Sequence, residues 1–207
     1  MTDKKKVTLD EVYRVIGPSG PFRAIVRSKT TATAPVGAPA YTIYELVRDG
    51  RLDLDWALEA LPQIDVGDPA DAICLLSRHC GLDVDRAIAA LREVRVGAPA
   101  YRIYQLVRYC GLAPERACEA IKEITVGDPA DAIYTLSYCC GLAPERAFAA
   151  VREVRVGEPA WAVYKLARYC GLDKARAIEA LREMPGGEKY IERLQMLIAA
   201  QAAGEDA

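Results

Sequence analysis

The sequence predicts an all-α solenoid of five helical hairpins, and three observations carry this prediction. A 30-residue period runs from residue 36 to residue 185 without a gap. Each copy contains two short stretches with the apolar spacing of an amphipathic helix. Two helices of this length cannot bury both apolar stripes alone, so neighbouring copies are expected to stack around one continuous core.

Each copy opens with the pattern Val-Gly-x-Pro, at Val36, Val66, Val96, Val126 and Val156. Proline suits the first turn of a helix, where its missing N–H is not needed, and Asp68 and Asp128 are expected N-caps before it. Four first helices should end at a left-handed glycine followed by leucine. These glycines are Gly81, Gly111, Gly141 and Gly171, whereas copy one has Arg51 there, just after Gly50.

The second helix of each hairpin opens at Asp83 or Asp173, or with Pro114 or Pro144. It is expected to run to a glutamate: Glu93, Glu123, Glu153 and Glu183. Helical spacing then assigns the core stripes of the two helices. In copy four they are Ala130, Ile133, Leu136 and Cys140, then Ala147, Ala150, Val151 and Val154.

Three segments follow from this reading. Residues 1–35 hold a capping helix and a basic loop with a net charge of +4, residues 36–185 form the five-repeat solenoid, and residues 186–207 hold a capping helix and a tail. "VTLDEVYRVIG" has a capping-box spacing, and "GEKYIERLQMLIAAQAA" is amphipathic. Each is expected to cover one end of the repeat array.

The repeat resembles the short HEAT-like repeat of phycobilin lyases. The matching residues are the Gly-Asp-Pro turn and the Arg-Ala of the second helix, at Gly67, Asp68, Pro69, Arg86 and Ala87, and again at Gly127, Asp128, Pro129, Arg146 and Ala147. The resemblance implies a right-handed superhelix, and it implies that Arg at position 21 pairs with an acid of the adjoining repeat. Copies one and three depart from it with Ala38 and Ala98, and copy one has Trp56 in place of the arginine.

Odd-numbered and even-numbered copies carry different residue types at the same positions, so the true repeat unit is 60 residues. Position 6 alternates between aromatic and acidic residues: Tyr41, Asp71, Tyr101, Asp131 and Trp161. This position lies opposite the apolar stripe and is predicted to face solvent. Positions 9 and 13 are four apart, so tyrosines and arginines can meet on one face. These residues are Tyr44, Tyr104 and Tyr164, with Arg48, Arg108 and Arg168.

The aromatic, arginine and aspartate residues of the first helices therefore form the candidate binding site, because such residues dominate binding hot spots. The alternative is that tyrosine hydroxyls bond to aspartates and lock the stack. We expect a non-catalytic scaffold that binds a protein, a peptide or a second copy of itself. Two other functions stay open: tetrapyrrole or chromophore handling, implied by the resemblance, and nucleic-acid binding through the basic N-terminal segment.

Several classes of function are not indicated by the sequence. Seven cysteines lack Cys-x-x-Cys spacing and His79 is the single histidine, so we expect no metal site and no cofactor. We find no phosphate loop, nucleophile elbow or Cys/His dyad, and therefore expect no enzyme. A formal charge of −2 makes nucleic acid an unfavoured partner. No signal peptide or membrane span is evident, so the expected location is the cytoplasm.

Overall fold

The computed structural model describes residues 38–203, and every regular element in this range is helical. The predicted all-α class is confirmed. The expected N-terminal capping helix, the basic segment Arg23–Lys29 and the last four residues lie outside the described residues. The helices group into two compact units, which meet in sequence between Gly111 and Leu112.

In the first unit, first and second helices alternate along the chain. They are α1 (Ala38–Arg48), α2 (Leu54–Ala60) with a 3-10 turn (Leu61–Gln63), α3 (Pro69–His79), α4 (Val84–Glu93) and α5 (Pro99–Cys110). The first helices lie side by side, α1 against α3 and α3 against α5. The second helix α4 packs against both α3 and α5. This arrangement separates a surface of first helices from a surface of second helices.

The second unit repeats the pattern and adds a terminal helix. Its elements are α6 (Pro114–Lys122), α7 (Pro129–Cys140), α8 (Pro144–Glu153), α9 (Pro159–Tyr169), α10 (Lys174–Glu183) and α11 (Glu188–Ala202). The first helices α7 and α9 pack together, and so do the second helices α6 and α8. Helix α11 packs on both α9 and α10, and its own side chains Tyr190 and Leu194 are buried.

Helix ends form where the sequence signals place them. The Asp68 and Asp128 carboxylates accept hydrogen bonds from the N–H groups of Asp71 and Asp131, each 3.1 Å long. After each of four first helices a left-handed glycine turns the chain. The N–H of the leucine that follows Gly81, Gly141 or Gly171 donates back to a carbonyl of the helix, as Leu142 does to Leu136. The aspartate caps begin first helices, and the left-handed glycines end them before the second helix of the hairpin.

One glycine has a packing role in addition to its backbone conformation. Gly157 has a φ of 85°, and a Cβ there would overlap the carboxylate of Asp128. The same Asp128 oxygen accepts from the N–H groups of Asp131 and Glu158. The Gly-Asp-Pro turn of one copy is thereby held against the Val-Gly turn of the next.

The core follows the predicted stripes with one correction. Ala130, Ile133 and Leu136 are fully buried, and the corresponding stripe of α8 is buried as well. The predicted stripe of copy four includes Cys140, but Cys140 is only half-buried, and so are the cysteines at the same position of other copies: Cys80, Cys110 and Cys170. They stand where the first helix ends, and the left-handed glycine that follows turns the chain away from the stripe. The buried thiols are Cys74 and Cys118.

None of the helices in the range 38–203 combines the length and the apolar character needed to cross a bilayer.

Candidate functional site

Each unit has a solvent-facing side of first helices, which we call its first-helix surface; α1, α3 and α5 form it in the first unit, and α7 and α9 form it in the second. Tyr41 and Tyr101 at position 6 are 47% and 45% exposed, as predicted. Their rings lean on the position-9 tyrosines, with centroids 5.5 Å from Tyr44 and 5.3 Å from Tyr104. Position 6 thus presents half of each ring to solvent on a fixed support.

The position-9 tyrosines themselves are not part of the exposed surface. Tyr44, Tyr104 and Tyr164 are 5%, 6% and 2% exposed, so their assignment as surface binding residues is corrected. Position 9 adjoins the apolar stripe. The ring of His79 on α3 lies 6.3 Å from that of Tyr44, and the ring of Tyr190 on α11 lies 5.5 Å from that of Tyr164. Two of these tyrosines instead accept hydrogen bonds from the arginines at position 13. Arg108 donates to the Tyr104 hydroxyl at 3.3 Å and Arg168 to the Tyr164 hydroxyl at 2.6 Å, while Arg48 lies 5.8 Å from the ring of Tyr44.

Trp161 also differs from the expectation of an exposed platform. It is partly buried, with its ring centroid 5.3 Å from that of Tyr164 and 5.4 Å from that of Tyr190. Tyr190 belongs to α11, which covers one side of the indole. Trp161 therefore fastens the terminal helix to α9 and contributes little free surface.

The acidic residues at position 6 are paired within the chain, which corrects their assignment to the candidate binding site. Asp71 accepts from Arg102 at 2.8 Å, and the same arginine reaches Asp68 at 2.6 Å. Asp131 forms an ion pair with Lys165. Burial raises the pKa of Asp71 above its usual value, and the charge of Arg102 opposes that rise. These pairs hold each even copy to the odd copy that follows it.

Position 14 was not recognised in the sequence and supplies two of the exposed tyrosines of the site. Tyr109 and Tyr169 are 48% and 50% exposed at the ends of α5 and α9. Arg78 lies over the Tyr109 ring at 4.4 Å, and Arg168 lies over the Tyr169 ring at 5.1 Å. Tyr138, at position 13 of α7, is 60% exposed and meets Tyr169 edge-on at 6.3 Å. A helical projection that included positions 13 and 14, in the last turn of each first helix, could have identified these exposed tyrosines.

The opposite surface, formed by the second helices, carries ion pairs between copies. Lys122 pairs with Glu153 at 2.9 Å, and Arg152 pairs with Glu183 at 3.5 Å. The resemblance predicts an arginine-to-acid pair at position 21, and Arg86 forms one with Asp55 at 2.5 Å. Exposed pairs of this kind contribute about 0–1 kcal/mol each, so their main effect is to set the register between copies.

Two further features bear on ligands. A cleft of about 640 Å³ opens beside the ends of α1 and α3, lined by Arg48, Arg51, Asp53, His79 and neighbouring residues. Within residues 38–203, we find no group of three or more His, Cys, Asp or Glu side chains placed to hold a metal ion. The cleft lies at the ends of two first helices, where Arg48 and His79 line it.

In comparisons with known proteins, no family model, no curated protein and no solved structure matches the chain.

Proposed function

We propose that this chain is a non-catalytic helical repeat scaffold that binds a protein or peptide through the first-helix surface. In this proposal the hairpins continue the HEAT-like pattern from residue 36 to residue 185 as a right-handed solenoid of five repeats. Side-by-side packing of first helices within each unit supports that arrangement, because the same contact recurs between successive copies.

The observation that carries the proposal is where the exposed aromatic side chains lie. The described residues include seven large hydrophobic side chains that are exposed, and five of them are tyrosines on first helices: Tyr41, Tyr101, Tyr109, Tyr138 and Tyr169. The other two, Met196 and Ile198, lie on α11, so the second helices of the described range contribute none. Tyrosine offers a large rigid contact area at a low entropy cost, which is why it is enriched in binding surfaces.

A purely structural role accounts for only part of this pattern. It explains the acids at position 6 and Trp161, which have partners inside the chain. It does not explain Tyr109, Tyr138 and Tyr169, which expose about half of each ring or more to solvent. Aromatic surface that stays wet adds little to folding, whereas covering it with a partner gains the full hydrophobic contribution.

The test is a pull-down with the immobilised chain, coupled with light scattering to detect self-association. The binding variants are Tyr109→Ala and Tyr169→Ala, and the matched controls are Glu119→Ala and Glu179→Ala on the exposed side of second helices. We expect the tyrosine variants to lose the captured partner, or the dimer, while all four variants melt close to the parent. Equal capture by the tyrosine variants and the parent would contradict the proposal.

A further inference from the structure

We propose that residues 7–17 dock on the outer face of the first hairpin, in the place that a preceding second helix would occupy. The first hairpin consists of α1, α2 and the 3-10 turn that follows α2. The occupant of this face is therefore a segment of the chain itself, which lies outside residues 38–203. The inference goes beyond the proposed function, because it does not involve the first-helix surface.

The first argument is a set of core positions that stay half-buried in the first hairpin. Leu46, Leu52 and Leu58 stand at positions 11, 17 and 23, and each keeps part of its side chain exposed. The residues at these positions are buried in each of the later copies; in copy two they are Leu76, Leu82 and Ile88. The first hairpin therefore has apolar surface whose equivalent is covered in every later copy.

The second argument is which neighbour the first hairpin lacks. Within the first unit, α2 contacts α4, the 3-10 turn after α2 contacts α3 and α4, and α4 contacts α5. Each second helix therefore packs on the copy that follows it. Helix α1 is the first described element, so no second helix among residues 38–203 precedes it. A helix in that place would lie against α1 and α2, where Leu46 and Leu58 are half-buried.

The third argument is the register of the segment before α1. Thr8 is a predicted N-cap, and apolar residues follow it after four, five, seven and eight positions: Val12, Tyr13, Val15 and Ile16. In α4 the N-cap Asp83 is followed at the same intervals by four buried residues: Ala87, Ile88, Ala90 and Leu91. Polar residues stand between the apolar ones of the segment: Asp10, Glu11 and Arg14. The segment thus combines a buried stripe with the polar outer face that a terminal repeat needs.

Charge and chain length favour the same occupant. Residues 38–65, which contain the first hairpin, hold six acidic and two basic residues, a net charge of −4, whereas residues 1–35 carry +4. Within the range 38–203, Glu45, Glu59 and Asp65 form no ion pair. The 20 residues from 18 to 37 can extend about 66 Å and α1 is about 16 Å long, so the connection can reach this face. A second copy that docked through the same face would bring two charges of −4 together, which disfavours it.

The experiment measures amide hydrogen exchange by mass spectrometry on the full chain. The test variant combines Val12→Asp with Ile16→Asp, and the matched control is Arg14→Asp on the polar side of the same segment. Both variants lower the net charge equally, so a difference between them reports burial and not charge. Exchange is followed in α1 and α2 and, as a reference, in α9, at two protein concentrations.

We expect α1 and α2 to exchange about tenfold faster in the test variant than in the parent, with α9 unchanged, at both concentrations. The control should stay within about twofold of the parent. Equal exchange in the test variant and the parent, or equal acceleration by test variant and control, would overturn the proposal. Acceleration that extends to α9 would contradict a local cover, and protection that rises with protein concentration would assign the face to a second copy.

A second measurement identifies the occupant while leaving the segment unchanged. The photo-crosslinker p-benzoylphenylalanine replaces Leu58, and peptide mass spectrometry locates the crosslinks. We expect an intrachain crosslink to residues 7–17. Its absence, or a crosslink to a second copy, would contradict the docking of this segment.

Discussion

Trp161 provides a direct test of the division between structural and surface aromatic residues. The indole lies against two rings, with centroid distances of 5.3 Å to Tyr164 and 5.4 Å to Tyr190, and it connects α9 to the terminal helix. Tyr101 occupies the same position in an earlier copy, but it has one ring neighbour and is 45% exposed. Removing the two side chains should therefore have unequal effects on folding.

The expected magnitudes follow from these contacts. A well-packed aromatic pair contributes about 0.5–1.5 kcal/mol beyond the area it buries, and truncating a fully buried tryptophan to alanine costs about 3–5 kcal/mol. Trp161 has two such pairs but keeps some exposure, so we expect Trp161→Ala to lower the free energy of unfolding by about 3 kcal/mol. For Tyr101→Ala, with one pair and half of the ring in water, we expect about 1 kcal/mol.

The assay is urea unfolding followed by far-ultraviolet circular dichroism. With a denaturant slope of about 2 kcal/mol per molar, the midpoint should fall by about 1.5 M for Trp161→Ala and about 0.5 M for Tyr101→Ala. Trp161→Phe is the control that keeps a ring in the stack and should lie between the parent and the alanine variant. Equal shifts for Trp161→Ala and Tyr101→Ala would refute the assignment of Trp161 to the structural cluster.

Three further outcomes are expected. Leu136 is fully buried, so Leu136→Ala should lower the free energy of unfolding by about 2–5 kcal/mol, and a melt identical to the parent's would disprove the core assignment. With a disulfide-exchange reagent at pH 8, the exposed Cys139 should react at once, whereas Cys74 and Cys118, whose pKa values burial raises to about 11, should react only on unfolding. Folding favours the neutral form of these two thiols, so their contribution to stability is complete below pH 9 and is lost as the pH rises toward 11. The urea midpoint of the parent should therefore fall over this pH range, and it should fall less steeply for Cys118→Ala.

Much of the fold could be predicted from the sequence, because its signals are local and repeated. The caps at Asp68 and Asp128 depend on residues three apart, and the period of 30 averages the apolar pattern over five copies. The exposure of Tyr41 and Tyr101 follows from the same helical geometry.

The features of the site that could not be predicted depend on which side chain of a neighbouring element packs against a given residue. Position 6 has one helical phase in every copy, yet Trp161 is covered by Tyr190 from α11, whereas Tyr101 stays half exposed. Asp71 and Asp131 both form an ion pair with the following copy, but their partners stand at different positions, Arg102 at position 7 and Lys165 at position 10. No fixed sequence spacing therefore predicts the pair. The burial of the position-9 tyrosines likewise comes from packing between helices, which the phase of a single helix does not reveal.

The central claim is that the first-helix surface contacts a partner and the second-helix surface does not. Photo-crosslinking tests it most directly. One variant carries p-benzoylphenylalanine in place of Tyr109 on α5, and a second variant carries it in place of Ala89 on α4. Both positions are exposed and lie in the same unit. We expect a discrete adduct from position 109 and none from position 89. Adducts from position 89 alone, or equal adducts from both positions, would contradict it.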